Sequence, residues 1–462
     1  MKLKQLYRTI ALTLPLTWLG ACSVDVPPPD LYSDPDAISN VETARSLLTS
    51  CYTLYPHYEY EFSTLGNDFC LTSLSGKDIN QQNLYNWQDK DISSLATDMW
   101  LAYYNCIANC DVLMERLDKV KTASTSAVEA KRAITAEVKT LKALCYFQLL
   151  RIYAPAYSGG AEADGIVLKN RVGLETPKRS SLAQCVEYIR DLLNEAVAVE
   201  NAPKRNGWLS QQAARQLLAQ LNLYTGAYAE ALVQAKEVLS HMPAGAISAS
   251  QYARLWDTAT WEGRIFAFNT TETYYNSLEY SATDGDLFAL NPSLRMEATD
   301  ARRASNEFVM TMAGEERTLV GKYNLRNKKG LTTAYIDQMR YAETLFIAAE
   351  CEARTGHEAE ARQRVNTYLE DMGATPLGDH LSGNALVKAI LNEKYREMAG
   401  EGHNWFDLKR TGTTLPRYKR WATSIDRNIT ADDYRWTFPI PSSEYKYNES
   451  VTQNTGWPIN RN

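Results

Sequence analysis

"RYAETLFIAAECEARTGHEAEARQRVNTYLEDM", Arg340 to Met372, holds two apolar-periodic segments joined at Thr355–Gly356. Apolar residues recur three and four apart on each side of that joint, which predicts two amphipathic helices. Small alanine side chains let antiparallel helices approach closely, and Gly356 at the turn supplies a left-handed cap at little steric cost. The pattern occurs a second time. "SQQAARQLLAQLNLY" precedes "TGAYAEA", Thr225 to Ala231, and "ALVQAKEVLSHM" follows it.

This spacing resembles tetratricopeptide repeats, whose two-helix units stack into a solenoid. Two further pairs extend the reading. "AVEAKRAITAEVKTLKALCYFQLLRIYA", Ala127 to Ala154, is a long amphipathic helix whose partner is "SLAQCVEYIRDLLNEAVAVE", Ser181 to Glu200. "NVETARSLLTSCYTLY" pairs with "TDMWLAYYNCIANCDVLMERLDKV" nearer the start of the chain. The expected fold is mainly α, a solenoid of about eight helices in four pairs. Methionine and aromatic positions at helical spacing are read as core, not as a cofactor box, and no cofactor or metal is expected.

Two regions break the helical pattern. Residues of about 58–90 are rich in Asn, Asp, Gln and Tyr and include "KDINQQNLYNWQDKD". Residues of about 244–337 fall between the third and fourth helix pairs and carry short strand-like runs. Tyr252, Trp256, Trp261, Phe266, Phe268, Tyr274, Tyr275 and Tyr280 crowd into the first part of that insertion. Loops carried on a rigid scaffold are where binding surfaces usually sit. The plainer reading is that about half of these rings glue the insertion to the helices.

Composition narrows the function classes. The net charge of −6 comes from 49 basic and 55 acidic residues with no basic stripe, so nothing points to nucleic acid. The chain has 28 Tyr and 10 Trp against 10 Phe, and aromatics with a polar edge suit half-wet binding surfaces.

The first residues speak to compartment. Lys2, Lys4 and Arg8 precede a short apolar stretch, Thr9 to Leu19, of the secretory type. That stretch is too short to span a bilayer, which needs about 20 apolar residues. It runs into "LGAC", Leu19 to Cys22, which resembles the lipobox of bacterial lipoproteins; an ordinary signal peptide cut near Ala21 is the plainer alternative. The lipobox resemblance implies a signal peptide over residues 1–21 and an acylated Cys22 as mature N-terminus. The Pro- and Asp-rich residues 22–38 would then form a tether, and residues 39–462 a single domain. Seven cysteines remain besides Cys22. Cys106 and Cys110 lie four apart on one helix face, with Cys51 and Cys70 upstream. Buried free thiols are the favoured reading, with one disulfide as the alternative in an oxidising compartment.

"NEKYREMAGEGHNWFDLKR", Asn392 to Arg410, packs acids, a histidine and bases closely enough to suggest catalysis. A hydrolase pair, however, needs two carboxylates facing across a cleft, roughly 5 to 10 Å apart. Glu393 and Glu397 instead project from one helix, with Arg396 placed to neutralise them. No GxSxG, HExxH, Walker loop or GxGxxG occurs. The stretch reads as a structural ion-pair seam with His403 as a hydrogen-bonded structural residue.

The last 120 or so residues resemble the SusD/RagB family of surface nutrient-binding lipoproteins. The resemblance rests on "RYAETLFIAAECEARTG", "NEKYREMAGEGHNWFDLKRTG" and "FPIPSSEYKYNESVTQNTGW". The last is similar to the family's terminal signature, here Pro439, Ile440, Pro441, Glu444, Asn448, Gln453, Asn454 and Gly456. Lys394 stands where many members carry Arg, and Glu449 where many carry Pro. Helix pairs, insertion and lipobox follow in the same order, so the resemblance extends over the mature chain.

It implies a binding protein, not an enzyme. Such a protein sits on the outer face of the outer membrane of a Gram-negative bacterium, above a SusC-like TonB-dependent transporter. It captures an oligosaccharide, or in some members a peptide, for that barrel. The family's use of the first loop and the central insertion implies ligand contacts from Asp68, Asn83 and Trp87 of the one and Trp256, Trp261, Tyr275 and Arg326 of the other. Two other classes make different demands. A lipoprotein hydrolase needs paired inward carboxylates in a cleft of the insertion, and an envelope repeat scaffold needs no ligand pocket.

Overall fold

The computed structural model describes residues 38–72, 79–169, 171–173, 176–201, 207–252, 254–256, 262–270, 289–312, 314–322, 334–420 and 423–459. Among them the fold is mainly helical, with fifteen helices and four two-stranded sheets. The body is built on α1 (Val41–Thr53), α4 (Asp89–Lys119), α5 (Thr125–Tyr153), α6 (Leu182–Val197), α7 (Gln211–Thr225), α8 (Tyr228–Ser240), α11 (Tyr341–Arg354), α12 (Glu358–Asp371) and α13 (Gly383–Glu397). Six short helices lie in the connections: α2 (Glu59–Leu65), α3 (Ile79–Tyr85), α9 (Ala249–Tyr252), α10 (Arg303–Asn306), α14 (Asn404–Thr411) and α15 (Ser442–Tyr447). The expected eight helices are the paired ones, and α13 and the short helices raise the number. Periodicity over two turns or fewer is too short a signal to read.

Each expected pair is in contact: α1 on α4, α5 on α6, α7 on α8, and α11 on α12. Local chemistry sets their ends. Asn40 and Ser181 form capping boxes at the starts of α1 and α6, each satisfying a free backbone N–H. Gly226 and Gly356, the glycines of the two "TG" joints, have φ of 78° and 87°, a conformation that strains residues bearing a Cβ. The two units of the repeat also pack on each other. Ala219, Ala231, Ala235 and Ala348 are all buried in one cluster, so α8 lies directly against α11 although the insertion separates them in sequence.

The insertion contributes β2 (Arg264–Thr270), β3 (Ala289–Leu290), β4 (Glu307–Met312), β5 (Glu315–Val320) and β6 (Ala334–Arg340). β4 and β5 form a hairpin, whereas β3 pairs with β1 (Phe69–Cys70) from the first loop. β2 pairs with β6, and β7 (Leu415–Tyr418) with β8 (Ile425–Ile429). Phe266 and Phe268 of β2 turn inward onto the first helix pair. The Phe268 ring stacks on Tyr55 at 4.6 Å, and Phe266 lies 6.1 Å from Tyr52. Of the eight aromatics that crowd the insertion's first part, Tyr252, Trp256, Phe266 and Phe268 are buried. The other four lie outside the described residues.

Candidate ligand-binding site

The charged stretch 392–410 is a seam, though not with the partners its own spacing suggests. Glu397, fully buried at the end of α13, accepts hydrogen bonds from Arg340 Nη1 at 2.8 Å, Arg302 Nη1 at 3.3 Å and the Tyr368 hydroxyl at 2.7 Å. Glu401 accepts from Arg340 Nη2 at 2.8 Å and Lys322 Nζ at 2.5 Å. Arg302 forks onto Asp300, and Arg264 Nε reaches Asp337 at 2.6 Å. Every cation here, with Asp300 and Asp337, comes from the insertion. The seam therefore clamps the insertion to α13. Burial alone would raise Glu397 and Glu401, but Arg340 and its cationic neighbours hold both below the usual carboxylate range.

Arg396 was expected to neutralise Glu397 and does not. It pairs with Glu393 three residues away and stays partly exposed, while Glu397 points inward. Adjacent residues on a helix point about 100° apart, so the two cannot share an environment. His403 Nδ1 lies 3.4 Å from the buried Glu343, which also accepts from Gln216 at 2.6 Å and Gln220 at 2.8 Å. The histidine is thus a structural link between the turn and α11. Lys409 is buried and donates from Nζ to the carbonyls of Arg151 at 2.6 Å and Ala154 at 2.8 Å. It satisfies carbonyls left free at the C-terminus of α5, where a cation is favoured.

Of the described members of the expected ligand set, Asp68, Trp87 and Trp256 lie at this seam or in the core. Asp68 is buried, accepts from the Gly400 backbone N–H at 2.8 Å, and is pushed up to about 7 chiefly by burial. Its own carbonyl accepts from the Asn291 N–H at 2.8 Å, next to β3. Trp87 has no exposed surface, donates its indole N–H to the Leu65 carbonyl at 3.3 Å, and meets the Trp436 ring edge-on at 4.7 Å. Trp256 is 6% exposed, with Lys322 and Arg340 over its ring at 5.0 and 5.5 Å. Trp87 and Trp256, expected as stacking platforms, are both buried, the one against Trp436 and the other beneath Lys322 and Arg340. Asp68 is likewise closed to ligand. Asn83 on α3 is half-buried, its amide 3.5 Å from Asp91 Oδ1. Trp261, Tyr275 and Arg326, and the lipidation candidate Cys22, lie outside the described residues.

What the structure does bring together is the roots of the loops. Cys70, the last residue of β1, pairs with Ala289, the first of β3. Thr270, the last of β2, pairs with Ala334, the first of β6. The chain leaving β1 and the chain entering β3 therefore meet at one antiparallel pair. The chain leaving β2 and the chain entering β6 meet at another. These registers are long-range pairings, with no local signal in the sequence.

Two hollows bear on chemistry. Glu59, Asp337, Glu401 and His403 border a small hollow of about 50 Å³. Its acids are engaged: Glu59 with Gln338, Asp337 with Arg264, and Glu401 with Arg340 and Lys322. Ligand pockets run to about 300–1,000 Å³, so this one admits no sugar-sized substrate between those acids. A cleft of about 600 Å³ opens elsewhere, between Pro155–Asp164 and Ala431–Thr437, with Gln453–Thr455 along it. The sequence reading missed this cleft. Tyr434, 36% exposed, stands on its rim with its hydroxyl donating to Asp89 at 2.6 Å, while the amides of Gln453 and Asn454 are taken up by backbone groups. Among the described residues no group of three or more His, Cys, Asp or Glu is placed to hold a metal ion.

Comparison with known proteins follows the same outline. The sequence profile of the SusD family matches residues 251–457, and one described as starch-binding associating with outer membrane matches residues 30–223. The SusD-like protein P25 of Formosa agariphila is 23% identical, over 78% of this chain and 80% of its own. A SusD superfamily protein from Bacteroides thetaiotaomicron superposes with a TM-score of 0.76 at 21% identity, covering 90% of this chain and 99% of that one. The surface glycan-binding protein A from Bacteroides uniformis superposes at 0.72 with 18% identity, covering 89% and 99%. At these identities the superpositions speak for the fold.

Proposed function

This chain belongs to the SusD/RagB family, and from that premise we propose that it is a cell-surface nutrient-binding lipoprotein. It captures an oligosaccharide and delivers it to a SusC-like TonB-dependent transporter of the outer membrane. The observation that carries this reading is the pairing of loop roots, β1 with β3 and β2 with β6. The first loop and the aromatic insertion are the two segments whose composition suits sugar binding. Sugar rings stack their C–H faces on Trp and Tyr, and their hydroxyls need fixed amide, carboxylate and guanidinium partners.

In this reading Trp261 and Tyr275 are the stacking platforms, and Arg326 and Asn83 supply hydrogen bonds. Asp68, Trp87 and Trp256 hold the base on which the loops stand. The stacked helix pairs form a tetratricopeptide-like solenoid that docks on the transporter. Cys22 carries the lipid, residues 22–38 are the tether, and the protein works by binding alone. A glycan ligand is favoured over a peptide because the family profile and the Bacteroides uniformis relative are both described by glycan binding.

The test is calorimetric titration of the mature chain against a panel of neutral and acidic oligosaccharides and a matched panel of peptides. Saturable binding of one glycan class, weakened in Trp261→Ala and Tyr275→Ala, is expected. Binding of peptides alone would overturn the glycan assignment, and binding untouched by either substitution would overturn the site.

A further inference from the structure

The cleft between Pro155–Asp164 and Ala431–Thr437 shares no residue with the loop site. Its volume of about 600 Å³ lies within the range of ligand pockets, about 300–1,000 Å³. Tyr434 on its rim is held by three contacts. The hydroxyl donates to Asp89 at 2.6 Å, and the Trp457 ring meets the Tyr434 ring edge-on at 5.1 Å. Gly456, with φ of 89°, lies against the root of the ring, where a Cβ would meet Cγ at 2.5 Å and Cδ2 at 2.7 Å. After these contacts Tyr434 is still 36% exposed. The ring is therefore fixed in place yet keeps open surface, so a ligand that packs on it need not order it first.

The rest of the lining offers acceptors more than cations. Asp164 keeps 54% of its side chain exposed while accepting from the Thr452 hydroxyl at 2.6 Å, and Asp432 is exposed. Asp433 is paired with Arg435 at 2.5 Å, and that guanidinium lies 5.7 Å from the Tyr434 ring. Lys409, the one cation lining the cleft among the described residues, donates to carbonyls at the end of α5. A cationic ligand would find the ring and Asp433 already supplied with a guanidinium. An acidic ligand would meet Asp164 and Asp432. A neutral, polyhydroxylated ring suits the cleft better, with its C–H face on Tyr434 and its hydroxyls donating to the two carboxylates.

We propose that this cleft is a second glycan site, taking a segment of neutral oligosaccharide with Tyr434 as platform and Asp164 and Asp432 as hydroxyl acceptors. Its ligand class rests on the proposed glycan function, whereas none of its residues belongs to the loop site. The platform is fastened to the base of the first loop. Asp89 lies at the end of that loop, and Arg435 Nη1 donates to the Trp87 carbonyl at 2.8 Å.

The experiment is calorimetric titration of the mature chain with hexasaccharides of glucose, mannose and xylose, beside uronic-acid oligosaccharides and a peptide panel. Circular dichroism confirms that each variant is folded. The Trp261→Ala/Tyr275→Ala chain is expected to keep a saturable site for a neutral saccharide. Adding Tyr434→Ala should weaken that site by about tenfold or more, as for stacked bases, whereas Tyr434→Phe keeps the ring and the binding. Asp432→Ala, on an exposed side chain, should weaken it severalfold with unchanged melting. Neutral-saccharide binding that vanishes altogether in the Trp261→Ala/Tyr275→Ala chain would overturn the cleft site and leave the proposed function standing. Residual binding untouched by Tyr434→Ala, or by Asp432→Ala where Tyr434→Ala does not fold, would equally overturn it. Tighter binding of uronic-acid oligosaccharides or peptides in the cleft would overturn the ligand class, and glycan binding by none of the chains would overturn both site and function.

Discussion

Arg340 Nη1 donates to Glu397 Oε1 at 2.8 Å, with both side chains buried. Arg340 closes the last strand of the insertion and Glu397 closes helix α13, so one contact joins the segment proposed to hold ligand to the helical body. The same guanidinium turns its Nε and Nη2 toward Glu401. A charge pair this deeply buried adds little net stability, but removing one partner strands the other in a medium that cannot solvate it.

Glu397→Ala is accordingly expected to cost about 3–5 kcal/mol in urea denaturation. Arg396→Ala, whose side chain is 35% exposed, is expected to cost under about 1 kcal/mol. Equal losses would mean that the inward and outward faces of α13 are wrongly assigned.

Two of the three tryptophans of the candidate set, Trp87 and Trp261, should behave in opposite ways. Trp87 fills core against Trp436, and Trp87→Ala is expected to cost about 3–5 kcal/mol of stability. Trp261→Ala is expected to leave the melting temperature nearly unchanged and to weaken glycan binding by about ten- to a hundredfold, as for stacked bases. Calorimetric titration beside thermal denaturation separates the effects. A stable Trp87→Ala chain with lost binding would return that ring to the site.

Asp68 predicts a pH dependence. Burial moves its folded value from the ordinary 3.8 up to about 7, against the pull of the Gly400 N–H and of Lys322 and His403. The native chain therefore holds this proton more tightly than the unfolded chain. The stability Asp68 contributes is full below about pH 4 and is lost as pH climbs to about 7. Asn mimics the protonated acid, so Asp68→Asn should gain on the wild type across that window, by at most about 4 kcal/mol. Glu61 is also pushed up to about 7 and is present in both chains, so the difference between them isolates Asp68. Parallel stability profiles from pH 4 to 8 would refute the assignment.

Cys22→Ala tests the anchor. Membrane fractionation after expression with its own leader should find the wild type with the outer membrane and the variant released. A variant that stays acylated and membrane-bound would remove Cys22 from that role.

Much of the helical body was legible in the sequence. Helix pairs rest on short-range periodicity and on turn glycines, and both lie in continuous stretches such as Arg340–Met372. The seam at 392–410 was recognisable as structural from its spacing, although its partners were not. Arg302, Lys322 and Arg340 carry no mark that distinguishes them from surface cations, and only folding brings them to Glu397 and Glu401.

Sequence by itself therefore determined the paired long helices, which two segments interrupt them, and the family, because those properties are written in neighbouring residues. The tertiary structure decided which aromatics are core, which charges pair, and where the loop roots meet. Trp87 and Trp256 have the composition of a platform, but whether a ring faces water depends on what the rest of the chain lays against it. Here that is Trp436 for the one, and Lys322 with Arg340 for the other, all far away in sequence. Register between β1 and β3 or β2 and β6 is equally non-local, since each strand acquires its partner only when long intervening segments have folded.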